Sequence, residues 1–270
     1  MELVTIFSVK NIDGITILQT GPTYWGKYTP FIVSAFLVDG LLIDGGCFKN
    51  GEQLIQACGN QVEQVVISHY HLDHCGTGHY FAKQGIPVYA HSEGVPRLEG
   101  AHAYPLYQRV LWGKPPAFTA RPAPLSLATH KHNCQLIHTP GHTSDHLAVY
   151  FEKEGWLFSG DLFLHERVKF IGKEENYYQS LASLRRLQEL EISRLFCSMG
   201  RVIKQPKQAI QEKIDFMEQT IERVWDLHHR GLSPKAITQQ VLGSDLKLLY
   251  TTGDYNKQNL VRLVLTSPQQ

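Results

Sequence analysis

Within six residues the chain places three histidines and an aspartate: His69, His71, Asp73 and His74, in "VVISHYHLDHCGTGH". The run starts as an apolar strand, "QVVIS", at residues 64–68. Residues i and i+2 of a strand share a face, so His69 and His71 project from one side of its end. Asp73 and His74 lie just beyond, where a turn can bring them to a neighbouring position. Three imidazoles and a carboxylate packed together without a cation would leave buried polar groups costing about 1–3 kcal/mol each. Imidazole with carboxylate suits zinc, iron or manganese better than calcium or magnesium. Two adjacent donor clusters suit two divalent ions a few ångströms apart.

Three further stretches carry the same residue types. "LIHTPGHTSDHLA" places His142 after a strand and a Pro-Gly turn. "WLFSGDLFL" puts Asp161, and "LLIDGG" puts Asp44, directly after a buried strand. A carboxylate there must be paired or bound to a cation. The other ten histidines, among them His138 and His146, read as ordinary structural or surface residues.

The chain has 270 residues, enough for one large domain or a domain with an appendage. Short strand patterns fill the first 45 residues, and a helix over "NGEQLIQACG" stops at Gly59. A second helix is expected to run from His71 to near Gly85. "ENYYQSLASLRRLQEL" is an amphipathic helix. After Pro206 the patterns are helical, so a boundary is placed between a 1–205 domain and a 206–270 helical extension. Ser233 followed by Pro234 is a sound helix start. The extension's Leu, Ile and Val positions read as core packing, with homodimerisation or substrate recruitment as the alternatives.

The net charge of +1, from 26 basic and 25 acidic residues, gives no global signal for nucleic acid or an anionic membrane. No apolar run approaches the roughly 18–20 residues of a membrane span. The start of the chain has no basic n-region and does not read as a signal peptide. Five cysteines at scattered spacings, without CxxC, point to reduced thiols and a cytoplasmic location.

"SHYHLDHCG", "TPGHTSDH", "LFSGDLF" and "LLIDGG" resemble the motifs of the metallo-β-lactamase-fold hydrolase superfamily over roughly residues 1–205. The resemblance implies an α/β, four-layer αββα sandwich with a dinuclear site at one edge of two sheets. Carried over by position, His69, His71 and His142 would hold one ion. Asp73 and His74 would hold a second, and Asp161 would bridge them. Asp44 resembles the carboxylate that orients ligand imidazoles. A finer resemblance is to glyoxalase-II-like proteins and lactamase-like endoribonucleases with a small helical or winged-helix-like C-terminal domain. Members of this kind carry a last histidine in a turn after the final core strand. Here "RLFCSMGRVI" puts Met199 in that place. A thioether is a poor zinc ligand, so the second ion is expected to bind weakly or not at all. Arg201 and Tyr177 are candidate substrate contacts.

The implied chemistry is hydrolysis by a metal-bound hydroxide, with Asp73 and Asp161 as the catalytic carboxylates and one or two zinc ions, or iron or manganese, as cofactor. A small thioester, lactone or similar ester is the expected substrate. A β-lactam is not, since one β-lactamase subclass has cysteine where Asp161 stands. Phosphodiester cleavage is the rival reading. It draws on residues 97–121, where Arg97, Arg109, Lys114 and Arg121 are interleaved with Tyr104, Tyr107, Trp112 and Phe118. The segment is read instead as a lid over a small substrate. A mononuclear non-haem iron dioxygenase of persulfide type is the alternative of another class. A binding protein with a degraded site is the minor one.

Overall fold

A computed structural model describes residues 4–23, 31–244 and 253–266. The chain divides into two compact units. One comprises Met1–His138, Asp145–Gly160 and Ile192–Lys204, the other Thr139–Ser144, Asp161–Glu191 and Gln205–Gln270.

The first unit holds two sheets. In the seven-stranded sheet the strands follow chain order: β1 (Val4–Ile12), β2 (Ile15–Thr23), β3 (Val33–Val38), β4 (Leu41–Ile43), β5 (Gln64–Val66), β6 (Val88–Ala90) and β7 (Arg121–Pro122). The first four pair antiparallel and β4 to β7 pair parallel. Parallel neighbours need crossovers. Two are made by α1 (Gly51–Cys58) and α2 (Gly78–Lys83), and the third carries α3 (Leu106–Trp112). The second sheet contains β8 (Ser126–Ala128), β9 (Asn133–His138), β10 (Leu147–Phe151), β11 (Trp156–Phe158), β13 (Arg194–Phe196) and β14 (Val202–Ile203), in the order β14-β13-β11-β10-β9-β8.

The period-2 rule assigns each strand's residues to two faces. Ile15, Ile17, Phe36, Val38, Leu41, Ile43 and Val66 pack against Leu127, Leu136, Val149, Phe151, Phe158 and Phe196 of the second sheet. The alternate residues Leu18, Ala35, Leu37, Leu42 and Val65 meet Leu54, Cys58, Phe81, Leu111 and Trp112 of the helices. This unit is therefore a helix layer on two face-packed sheets.

The second unit contains β12 (Ile171–Gly172), α4 (Tyr177–Gln188), α5 (Pro206–His229), α6 (Pro234–Leu242), β15 (Tyr255–Asn256) and α7 (Lys257–Thr266). Helix α4 starts where the Asn176 side chain accepts from Gln179 N (3.0 Å), and α6 where Ser233 Oγ accepts from Ala236 N (3.4 Å). Tyr178 ties three helices together, its hydroxyl donating to Val264 O and accepting from Trp225 Nε1, each at 3.1 Å. Ile237, Leu242, Leu260, Val261 and Val264 are buried. The C-terminal helices begin at Pro206, as the sequence pattern places them. Their unit also takes in 139–144 and 161–191.

The expected helix from His71 to Gly85 is shorter: residues 71–77 are turns and α2 covers only Gly78–Lys83. Tertiary hydrogen bonds take the backbone groups a longer helix would use. Gly76 N donates to Gly46 O (2.9 Å), and His74 O accepts from Gly45 N (2.6 Å).

Candidate metal centre

Strands β4 and β5 are parallel and in register, Ile43 opposite Val66. Their C-terminal ends therefore lie at one sheet edge, and Asp44 meets the residues leading into the histidine run. Asp44 Oδ1 accepts from Ser68 N (2.7 Å), while Oδ2 accepts from Ser68 Oγ (3.0 Å) and lies 2.8 Å from His74 Nδ1. Asp44 is buried and adopts φ +63°, a conformation that aspartate and asparagine tolerate better than most residues. Ser68 Oγ gives its proton to Asp44 and sits 3.0 Å from His69 Nδ1. That network assigns the tautomers. His69 and His74 carry protons on Nδ1, and their Nε2 atoms are the basic nitrogens.

His69 Nε2 lies 2.9 Å from His71 Nδ1, and the His69 and His74 rings are 4.1 Å apart. Two nitrogens on one tetrahedral zinc, with Zn–N bonds of about 2.0–2.1 Å, would stand roughly 3.3 Å apart. The donor set fits such an ion after a slight opening. Within this unit His69 offers a nitrogen within ligand distance of one on His71 and of one on His74. Asp73 is expected as a ligand beside His74. It is half-buried, and its charge adds to burial in pushing the Cys47 and Cys75 thiols upward.

The ligand loop is held from two sides. Gly76 packs so closely on Gly46 that a Cβ would stand 2.3 Å from Gly46 O. Tyr70 N donates to Asp145 Oδ2 (3.0 Å), and Leu147 N to Ser68 O (2.8 Å). His146 is buried with its ring 5.3 Å from that of His69. A Cβ on Gly160, at φ +49°, would stand 2.5 Å from His146 Nε2, so this turn requires glycine. Sequence reasoning did not single out Ser68, Asp145 or His146. Ser68 immediately precedes His69, and the other two close the quoted "TPGHTSDH". Their position inside motifs was the available signal.

The other expected ligands belong to the helical unit. Segment 139–144 connects β9 to β10, and Asp161 follows Gly160 after β11. His142 is buried, with Nε2 3.5 Å from Asp161 Oδ2 and Nδ1 3.5 Å from Glu175 Oε1. Glu175 Oε1 also accepts from Gly172 N (2.7 Å). This carboxylate–imidazole–carboxylate arrangement suits a metal-ligating histidine. Nothing in the sequence distinguished Glu175 from Glu174. The loop is seated on α4: Asn176 N donates to Gly141 O (2.7 Å) and Ser183 Oγ to Pro140 O (2.8 Å). Tyr177 is buried against a cavity that His142 and Asp161 also line. Burial raises its phenol above the usual tyrosine range.

Met199 lies in the turn between β13 and β14 and is 42% exposed, with its carbonyl accepting from Gln19 Nε2 (3.4 Å). Arg201 is half-buried in the same turn, and its carbonyl accepts from Cys197 N (3.2 Å). The 97–121 segment is partly core: Leu98, Leu111, Trp112 and Phe118 are buried. Arg97 lies over the Tyr70 ring at 4.2 Å, and Tyr104 Oη donates to Tyr70 O (2.8 Å). All four aromatics offered for base stacking thus pack on this core, Trp112 and Phe118 buried in it and Tyr104 and Tyr107 against it.

Among the described residues no helix is long and apolar enough to cross a membrane. The chain is 26% identical over 205 residues to the "Beta-lactamase-like protein 2 homolog" of Caenorhabditis elegans, spanning 70% of this chain and 60% of that protein. It is 28% identical over 184 residues to the "Atrochrysone carboxyl ACP thioesterase" of Aspergillus fumigatus, spanning 65% and 51%. The matches thus cover between half and 60% of these relatives' length. The crystal structure of a beta-lactamase domain protein from Burkholderia ambifaria superposes with TM-score 0.72 at 17% identity, over 95% of this chain and 88% of that one, and shares the fold. The family model described as "Metallo-beta-lactamase superfamily" matches residues 28–199, all four motifs included, and the chain belongs to that superfamily.

Proposed function

We propose that this protein is a metal-dependent hydrolase of small ester-type substrates, thioesters first among them. The observation that carries the reading is the Asp44–Ser68 network, which fixes the tautomers and orientation of His69 and His74. A purely structural cluster has no need of three imidazoles turned toward one another. The candidate ligands are His69, His71 and His74 in one unit and His142 and Asp161 in the other. The thioesterase name of the fungal relative supports the bond type.

A divalent ion held by these residues supplies Lewis acidity and a water of lowered pKa. The chain's own groups do the rest. Asp44 and Glu175 keep the imidazoles of His74 and His142 aligned. Asp161, or half-buried Asp73, takes a proton from the attacking water. The water oxygen bonds to the acyl carbon as the C–S bond breaks, and the proton passes to the leaving thiolate. The products are a carboxylic acid and a thiol.

Elemental analysis of the purified protein together with thioester turnover tests this reading. Zinc, or two ions per chain, with turnover supports it. A single iron with oxygen consumption on persulfide would replace it by the oxygenase alternative. His69→Ala and His142→Ala should each lose bound metal and turnover while keeping the parent far-ultraviolet circular dichroism. Unchanged turnover in either removes that residue from the centre.

A further inference from the structure

The helical unit contains a cavity of about 100 Å³ that His142 and Asp161 line together with Leu164, Val168, Phe170, Phe216, Met217 and Tyr255. Its charged members are already engaged. Glu175 faces His142 and Gly172 N, and Lys213 Nζ donates to Leu162 O (2.8 Å). The space is concave and partly open to solvent. Here it lies against two residues proposed as metal ligands.

We propose that this cavity is the acyl pocket: it takes the alkyl group of the substrate and limits its length. The inference rests on the hydrolase reading for what the pocket serves, not for its existence. An apolar cavity of about 150 Å³ holds benzene, six carbons. By proportion, 100 Å³ holds about four carbons. A substrate with its carbonyl beside His142 and Asp161 and four further carbons in the pocket is a valeryl or isovaleryl thioester. Octanoyl is too long for the pocket. Acetyl leaves most of it empty. Val168, half-buried on the 161–170 segment, and Met217, buried on α5, set the limit from two different stretches of chain.

The test is a series of acetyl, butyryl, valeryl, hexanoyl and octanoyl thioesters of one thiol, with the metal-loaded full chain. Each methylene that enters an apolar site is worth about fourfold in kcat/KM. The value should climb at about that rate to valeryl and fall by octanoyl. Val168→Phe, which fills the cavity, should collapse the valeryl-to-acetyl ratio at least tenfold. Met217→Ala, which enlarges it, should move the optimum to hexanoyl. Valerate is the independent probe. Ligand-observed NMR on the metal-free protein should show saturation transfer to its methyl group, lost in Val168→Phe. Turnover with a flat chain-length profile, or with a ratio that Val168→Phe leaves unchanged, overturns the pocket and leaves the hydrolase reading standing. Absence of turnover on every thioester, with valerate binding that Val168→Phe abolishes, overturns the thioester reading and keeps the pocket. Absence of both turnover and valerate binding overturns the pocket.

Discussion

Asp44→Asn removes one charge from the centre and little else. Asparagine tolerates φ +63° about as well as aspartate, so the change is electrostatic rather than conformational. Alanine would add backbone strain and confuse the result. The asparagine carbonyl can still accept from Ser68 N, the bond now 2.7 Å long. Its amide then replaces the oxygen that faces Ser68 Oγ and His74 Nδ1 at 3.0 and 2.8 Å. The Ser68 hydroxyl can rotate and accept from that amide. The His74 Nδ1 proton cannot, so the ring must change tautomer or turn, and its basic Nε2 is lost. One buried hydrogen bond to a charged group is worth about 1.5–3 kcal/mol. That is the expected loss of stability in urea unfolding of the metal-free protein at pH 7. Removing a partner that orients a ligand imidazole typically lowers metal affinity by about 10–100-fold, and zinc competition against a chromophoric chelator should show a loss in that range. Zinc affinity within about threefold of the parent, with stability unchanged, would refute the claim that Asp44 sets the His74 tautomer.

Met199→His offers an imidazole where the family places its last ligand, and should raise the number of ions retained after dialysis against a mild chelator. An unchanged ratio would mean that this exposed position lies off the centre. Burial holds the Cys58 thiol up at about 12 and the Cys134 thiol up at about 11, and all five cysteines are buried outside any disulfide. Iodoacetamide at pH 8 should therefore leave the native protein unmodified by mass spectrometry and add five groups after denaturation. Rapid labelling of the native state would contradict the packing. Shortening the exposed tip around Lys114 should alter the thioester preference and leave metal content intact. Metal loss there would tie the segment to the centre, and an unchanged preference would end its role as a lid.

The sequence by itself showed the candidate ligand types, because a six-residue spacing is a local property, and it placed them just after a buried strand; that strand stops at Val66, so His69 and His71 meet through a turn and not through a period of two. It likewise determined where α5 and α6 start, since Pro206, Ser233 and Pro234 act within one turn of the helix start. The metallo-beta-lactamase fold was legible for the same reason: its motifs follow successive strands. Tertiary structure alone decided which neighbours orient the candidate ligands. Ser68 is an unremarked serine until parallel pairing of β4 with β5 sets it against Asp44. Glu175 becomes His142's partner only because the Gly141 loop sits on the start of α4. Helix α2 is short because Gly45 and Gly46, distant in sequence, take the backbone groups of His74 and Gly76 in its expected first turns. Such choices depend on contacts between residues far apart in sequence, where one carboxylate or carbonyl has many geometrically allowed partners and only the packed chain selects among them.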